Sequence, residues 1–230
     1  MKSQAGAGAV IVLAMWGLKR HYAAADPDAL GWILCPTAWL AGTATGTTFV
    51  AAAGEGYLSR ERLFVIEKAC AGINFLIAAL GMTGLVLLHR AVSWRAAAAV
   101  VAASALASYA AAVVVNATRI AVAMWLADHP MAAFRMSASA IHRFEGIAVY
   151  FCGLLLLYRL VRRLDGGAPP HRYWPLAPLA WYYLITLGIP LANGARGAAF
   201  VSHAIVVSVV PLIIVSFADF VIWRGEADRN

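Results

Sequence analysis

Three groups of residues in this 230-residue chain have the types and spacing for chemistry. The first is Glu67-Lys68-Ala69-Cys70-Ala71-Gly72-Ile73-Asn74-Phe75, where a charged loop gives way to a long apolar run. Only Cys70 of the three cysteines stands at such a border; Cys35 and Cys152 fall inside apolar runs. A thiol at the first turn of a helix feels the positive end of the helix dipole and the free backbone N–H groups there. Both favour thiolate, the form that attacks carbonyls. The bland alternative is a small packing residue beside Gly72, since free cysteine usually behaves as a buried hydrophobe.

The second group is Asn116-Ala117-Thr118-Arg119-Ile120. Arg119 interrupts an otherwise apolar run, and an ionisable residue at membrane depth is costly enough to be a functional candidate by default. Asn116 and Arg119 are three apart and share one helix face. The alternative is an arginine that snorkels to the interface with its stem in lipid. The third group is His142-Arg143-Phe144-Glu145-Gly146. An imidazole can take and return a proton near neutral pH, and Glu145, three residues on, could orient His142 or balance its charge. Here the alternative is an interfacial polar cluster at a helix start. Together, a thiol, a guanidinium and an imidazole suit acyl transfer. Cys–His pairs supply nucleophile and base, and a guanidinium can hold a developing oxyanion.

The elements that must position these groups are transmembrane helices. The chain is 63% hydrophobic and 13% charged, with mean hydropathy +0.76. Soluble domains carry roughly 25% charged residues. Apolar runs fall at 5–18, 29–53, 70–88, 96–127, 144–161, 175–193 and 199–223. The expected fold is therefore all-α, a polytopic bundle of about seven spans forming one transmembrane domain over residues 1–230. The run 96–127 exceeds the ~20 residues that a crossing needs. It must tilt, break near Asn116, or carry its last turns out of the bilayer. Many alanines in its first half offer a face for close helix packing. Period-two alternation is absent, which argues against a membrane barrel. Lys2, the run after it and Ala23-Ala24-Ala25 loosely fit a signal peptide. Lys19, Arg20 and His21 give that run the wrong flank for cleavage, so a short retained first span is expected.

Charge suggests an orientation. Loops 19–28, 89–95, 159–174 and the tail 224–230 hold ten Lys and Arg, and the opposite side holds eight. The excess places the first set in the cytoplasm and the loop with Cys70 on the outer face. The formal charge of +7 does not indicate nucleic acid, because no dense basic patch with interleaved aromatics occurs in a soluble segment. Three cysteines give no disulfide framework. HExxH, CxxC, paired-Asp and Gly-x-Ser-x-Gly motifs are absent, and the proposed chemistry needs no metal and no organic cofactor.

The three groups, in this order, resemble the exosortase/archaeosortase group of multi-pass membrane cysteine enzymes. Glu67 to Gly72 is similar to that family's Cys block. Asn116 to Ile120 is similar to its Asn-x-x-Arg-Ile block, and His142 to Gly146 to its His-x-x-x-Gly block. The resemblance covers about residues 55–160, and the compact chain is similar to the short branch called exosortase K. The resemblance implies a cysteine protease or transpeptidase in the bacterial inner membrane, working at the outer, periplasmic face. Its substrates would be secreted proteins with a C-terminal sorting signal: a short motif, a transmembrane helix and a basic cluster. Cleavage near the motif would pass through a Cys70 acyl-enzyme, with transfer to an unknown acceptor or to water. Arg119 would hold the oxyanion and His142 would be the acid/base. Archaeal relatives place arginine in the third role, and Arg143 is adjacent; the Gly146 spacing counts from His142. Glu67, Asn116, Arg143 and Glu145 are supporting or substrate-binding candidates. The competing classes are a small transporter or assembly factor, with a discontinuous helix at Gly188-Ile189-Pro190, and a membrane acyltransferase using the same site.

Overall fold

A computed structural model of the chain describes residues 1–61, 63–129, 138–166 and 175–227. Arg62, Arg135, His171, Arg172, Arg229 and the Gly167–Pro170 part of the loop after Asp165 lie outside them. The architecture is all-α with one small sheet. The chain divides into two compact units, residues 1–136 and 137–230.

The first unit is organised around α3 (Ile73–Leu87), a helix that is apolar almost all round and buried from Phe75 to Gly84. A helix of that composition sits inside a bundle. Two helices flank it lengthwise, α1 (Lys2–Ala24) and α4 (Trp94–Asp128). Small polar residues tie α3 to α4: the Thr83 and Ser108 hydroxyls are 3.0 Å apart and both buried. Ser93 starts α4 as its N-cap, its Oγ accepting the Ala96 N–H at 3.2 Å, which satisfies one orphan donor of the first turn. With 35 residues α4 is unbroken. At 1.5 Å per residue it is about 52 Å long, well beyond the ~30 Å hydrocarbon layer. Of the three expectations for run 96–127, a break near Asn116 is thereby removed.

The run 29–53 is not one helix. It forms α2 (Gly31–Thr45), a loop and strand β1 (Val50–Ala52). Gly46, at φ +66, ends α2 in the left-handed conformation. Fifteen residues span about 22 Å, short of a crossing. The helix runs beside α4 from about its middle on: Tyr109 Oη donates to the Trp32 carbonyl at 2.7 Å. Further along, Leu40, Ala44 and Thr45 face Val114 to Asp128 across a groove of about 600 Å³. Strand β1 pairs with β2 (Gly56–Ser59), and β2 with β3 (Phe64–Ile66), all antiparallel. The Tyr57 phenol anchors this sheet to α2 through a hydrogen bond with Cys35; that bond and partial burial push its pKa up to about 12.

This arrangement corrects the sidedness argued from charge. Ser3 Oγ donates to Ala91 O at 2.6 Å, and Gln4 Nε2 to His89 O at 3.4 Å, so α1 begins at the 89–94 end of α3. It finishes at the Cys70 end, where Lys19 Nζ donates to Asn74 Oδ1 at 3.0 Å. Loop 19–28 therefore lies with Cys70, not opposite it, because no crossing separates residue 28 from residue 55. Moving Lys19 and Arg20 to the Cys70 side and Lys2 to the other turns ten against eight into nine against nine. The charge bias no longer orients the chain.

The second unit holds α5 (Ala138–Leu164), α6 (Leu176–Tyr183), a π turn (Leu184–Gly188), α7 (Ile189–Ala192) and α8 (Ala198–Ala227). Phe151 on α5 meets Tyr182 on α6 edge-on at 5.5 Å. Tyr183 Oη donates to the Ser208 carbonyl on α8 at 2.8 Å. The expected discontinuity at Gly188-Ile189-Pro190 is a π turn running directly into α7, so the helix bends its hydrogen-bond pattern without unwinding. Among the described residues, four helical stretches are long and apolar enough to cross a membrane: Lys68–Arg90, Trp94–Asp128, Ala140–Leu164 and Phe200–Phe217. The expected total of about seven goes beyond these four.

Cysteines introduced at Lys19 and Asn74 in the full chain should join through a short thiol cross-linker in membranes. A pair at Lys19 and Arg90 should not. Cross-linking of the second pair alone would overturn the placement of α1.

Candidate active site

Strand β3 delivers the chain to Cys70 in a few residues. Glu67 keeps the backbone extended (φ −96°, ψ −177°), and Lys68–Cys70 then close a 3₁₀ turn. The Cys70 N–H donates to the Glu67 carbonyl at 2.8 Å, and the Glu67 backbone N–H reaches the Cys70 thiol. Cys70 thus lies three residues ahead of α3, on a turn, and not in the helix's first turn as expected. Gly72 makes the step into α3 with φ +66, a conformation open to glycine at little cost. A Cβ at Gly72 would also come within 3.2 Å of Asn116 Cγ.

Helix α4 supplies the next two residues. Asn116 is fully buried, and its side-chain amide donates to the Cys70 main-chain carbonyl. One turn on, the half-buried Arg119 guanidinium is hydrogen-bonded to the Cys70 thiol itself. Burial of Cys70 pushes its thiol up, and the cation beside it opposes that shift by favouring the thiolate. One helix face therefore holds both the backbone and the sulfur of Cys70, as the three-residue spacing allows.

Lys68 fixes the loop from the other side. Its Nζ donates to Ala25 O at 2.7 Å and to Ala23 O at 3.4 Å, and lies 5.2 Å from the centre of the Tyr22 ring. These carbonyls close the C-terminus of α1, where a cation is favoured by the helix dipole. Tyr22 is half-buried in the same place. Burial, then the proximity of Cys70 and of Glu67, pushes its phenol above the usual tyrosine value, so it stays a neutral hydroxyl at physiological pH. Sequence reasoning missed Tyr22 because residues 19–28 had been expected on the opposite side. The one signal was the polar cluster Lys19-Arg20-His21-Tyr22 closing the first apolar run.

The third group lies in the second unit, near the start of α5. His142 and Arg143 are exposed and Glu145 is buried. His142 Nδ1 is 3.7 Å from Glu145 Oε2, so Glu145 is placed to orient the imidazole. The structure thus brings Cys70, Glu67, Asn116 and Arg119 together in the first unit, and His142 with Glu145 in the second. Cys35 and Cys152 are exposed on α2 and α5. Among the described residues, no cluster of three His, Cys, Asp or Glu stands ready for a metal ion.

A model of the transmembrane exosortases matches residues 54–159. That stretch begins within the sheet, runs through the Cys70 turn and all of α4, and ends in α5, so it contains all three groups. The match supports membership of the transmembrane exosortase family. Exosortases are known as cysteine-peptidase-like transpeptidases, so the match supports a membrane protease or transpeptidase kind of function. No curated protein matches the chain, and no solved structure matches it.

Replacing Arg119 with methionine keeps the bulk of the stem and removes the charge. Alkylation of Cys70 at neutral pH should then slow by about tenfold or more, since thiolate fraction sets the rate. An unchanged rate, followed by mass spectrometry of the Cys70 peptide, would show that the guanidinium does nothing to the thiol.

Proposed function

We propose that this protein is a membrane-embedded cysteine protease or transpeptidase acting on secreted proteins that carry a C-terminal sorting signal of short motif, transmembrane helix and basic cluster. The observation that carries the reading is the Arg119 guanidinium held on the Cys70 thiol, a cation on a nucleophile at the end of an apolar helix. The substrate's tail helix docks in the bilayer beside the bundle and brings its motif to the level of Cys70. Cys70 thiolate attacks the scissile carbonyl carbon. Negative charge moves to the carbonyl oxygen, where Arg119 stabilises it. The intermediate collapses to a thioester, and the peptide nitrogen leaves as an amine with a proton from His142. Water or an acceptor nucleophile then attacks the thioester, giving up a proton to His142, and the sulfur leaves as the Cys70 thiolate.

In this scheme Asn116 and Glu67 position Cys70, Glu145 orients His142, and Arg143 contacts substrate or takes a share of the third role. The site faces the outside of the bacterial inner membrane, since its substrates are secreted proteins; the balanced charges leave this argument to the chemistry alone. No metal or organic cofactor enters any step.

The test is co-expression with a secreted protein bearing such a tail, read as loss of the tail on a gel. Cys70→Ala should abolish processing. Arg119→Ala should reduce it about 10²–10³-fold, as loss of an oxyanion donor does, and His142→Ala about 10²–10⁴-fold, all with membrane insertion intact. Full processing by Cys70→Ala would end the reading.

A further inference from the structure

The sheet before Cys70 has one free edge that leads to the thiol. Its order is β1-β2-β3, so β3 has β2 on one side and no strand on the other among the described residues. Ile66 pairs with Tyr57, and its carbonyl oxygen lies against Gly56 of β2, where the absence of a Cβ (φ +106) lets the two backbones close. Main-chain groups alternate in direction along a strand in a two-residue period. Phe64 and Ile66 therefore turn theirs toward β2, and Val65 and Glu67 turn theirs away. Both outward groups of Glu67 are taken by Cys70: the N–H by the thiol and the C=O by the Cys70 N–H. So Cys70 stands where the next strand would run, one pleat beyond Val65. Val65 is exposed, as is Glu67.

We propose that this edge is the peptide-docking subsite: an extended segment of the substrate adds as a fourth strand against Val65, which aims its scissile carbonyl at Cys70. The inference rests on the acyl-transfer reading of Cys70. The occupant follows from the chemistry of the edge. An outward N–H and C=O on one residue of an extended strand are matched by another extended polypeptide, and not by a helix or a lipid chain, whose own polar groups are satisfied or absent. The strand is short, three residues, but Phe64-Val65-Ile66 contains no lysine, proline or bulge to blunt the edge it offers. Binding through the main chain also tolerates varied side chains, leaving selection to the neighbouring surfaces. The two-residue period gives the test its signature, because only alternate amides of the substrate face β3.

The purified full-length protein in nanodiscs would be treated with two electrophiles, and modification of Cys70 followed by peptide mass spectrometry. One is an acetylated tetra-alanyl chloromethyl ketone, the other a small methanethiosulfonate. Val65→Pro removes the outward N–H at an edge position that accommodates proline. It should slow the peptidyl probe about tenfold, as loss of a main-chain hydrogen bond does, and leave the small reagent unchanged; Val65→Ala should leave both within about twofold. In the wild type, N-methylating the probe one amide at a time should slow labelling at the one amide that meets the Val65 carbonyl and spare its two neighbours, a reading independent of how any variant folds. A peptidyl rate indifferent to every N-methyl group would overturn the docking edge while leaving Cys70 a nucleophile. Failure of wild-type Cys70 to react with either reagent would overturn the acyl-transfer reading, and the docking edge with it.

Discussion

The contact on which the rest depends is the hydrogen bond from the Asn116 side chain to the Cys70 main-chain carbonyl. It joins two segments 46 residues apart, and does so beneath apolar packing where an unmatched amide or carbonyl would cost on the order of 1–3 kcal/mol. Neither partner has an easy alternative. Asn116 is fully buried on an unbroken helix, and the Cys70 carbonyl ends a 3₁₀ turn just before a left-handed glycine. The bond holds the turn at one height on α4, and that height puts the thiol against Arg119, one helical turn on from Asn116. Gly72 is part of the same constraint: a side chain there would meet both an unfavourable φ and the Asn116 amide.

Around that contact the first unit reads as a clamp on a short loop. β3 enters from the sheet, α3 leaves into the bundle, α4 holds the carbonyl and the sulfur, and Lys68 reaches the C-terminal carbonyls of α1. Each anchor belongs to a different element, so the loop is held although it contains little regular structure. This is how a chain with few polar residues can keep a reactive side chain in place. The apolar helices supply rigidity at no polar cost, and a few hydrogen bonds, part-buried at Asn116 and at Lys68, fix the loop against them.

The length of α4 matters for the same reason. A helix of about 52 Å cannot lie within one hydrocarbon layer along its axis, and α2 packs beside it from about its middle on. The Cys70 turn meets α4 about two-thirds of the way along that length, at Asn116 and Arg119, where α3 begins. A thiol at such a level can meet both an apolar tail helix and the polar chain that precedes it.

Much of this was legible in the sequence. Composition alone gave a helical membrane bundle, because no soluble core can be built with so few charges. The spacing of Asn116 and Arg119 gave a shared helix face, and the border at Cys70 gave the candidate thiol. Local pattern could not give the course of run 29–53. Apolar residues there fill a 15-residue helix, a turn and an edge strand as readily as one long span, and only packing against α4 and the pairing of β1 with β2 separates the two. That mistake moved residues 19–28 to the wrong side and hid Tyr22 and the Lys68 anchor. The sequence by itself thus determined the class of fold and which residue types could react, since both follow from hydropathy and short spacing. Tertiary structure decided which of those residues meet, because contacts across 46 residues depend on how far each segment runs before it turns back.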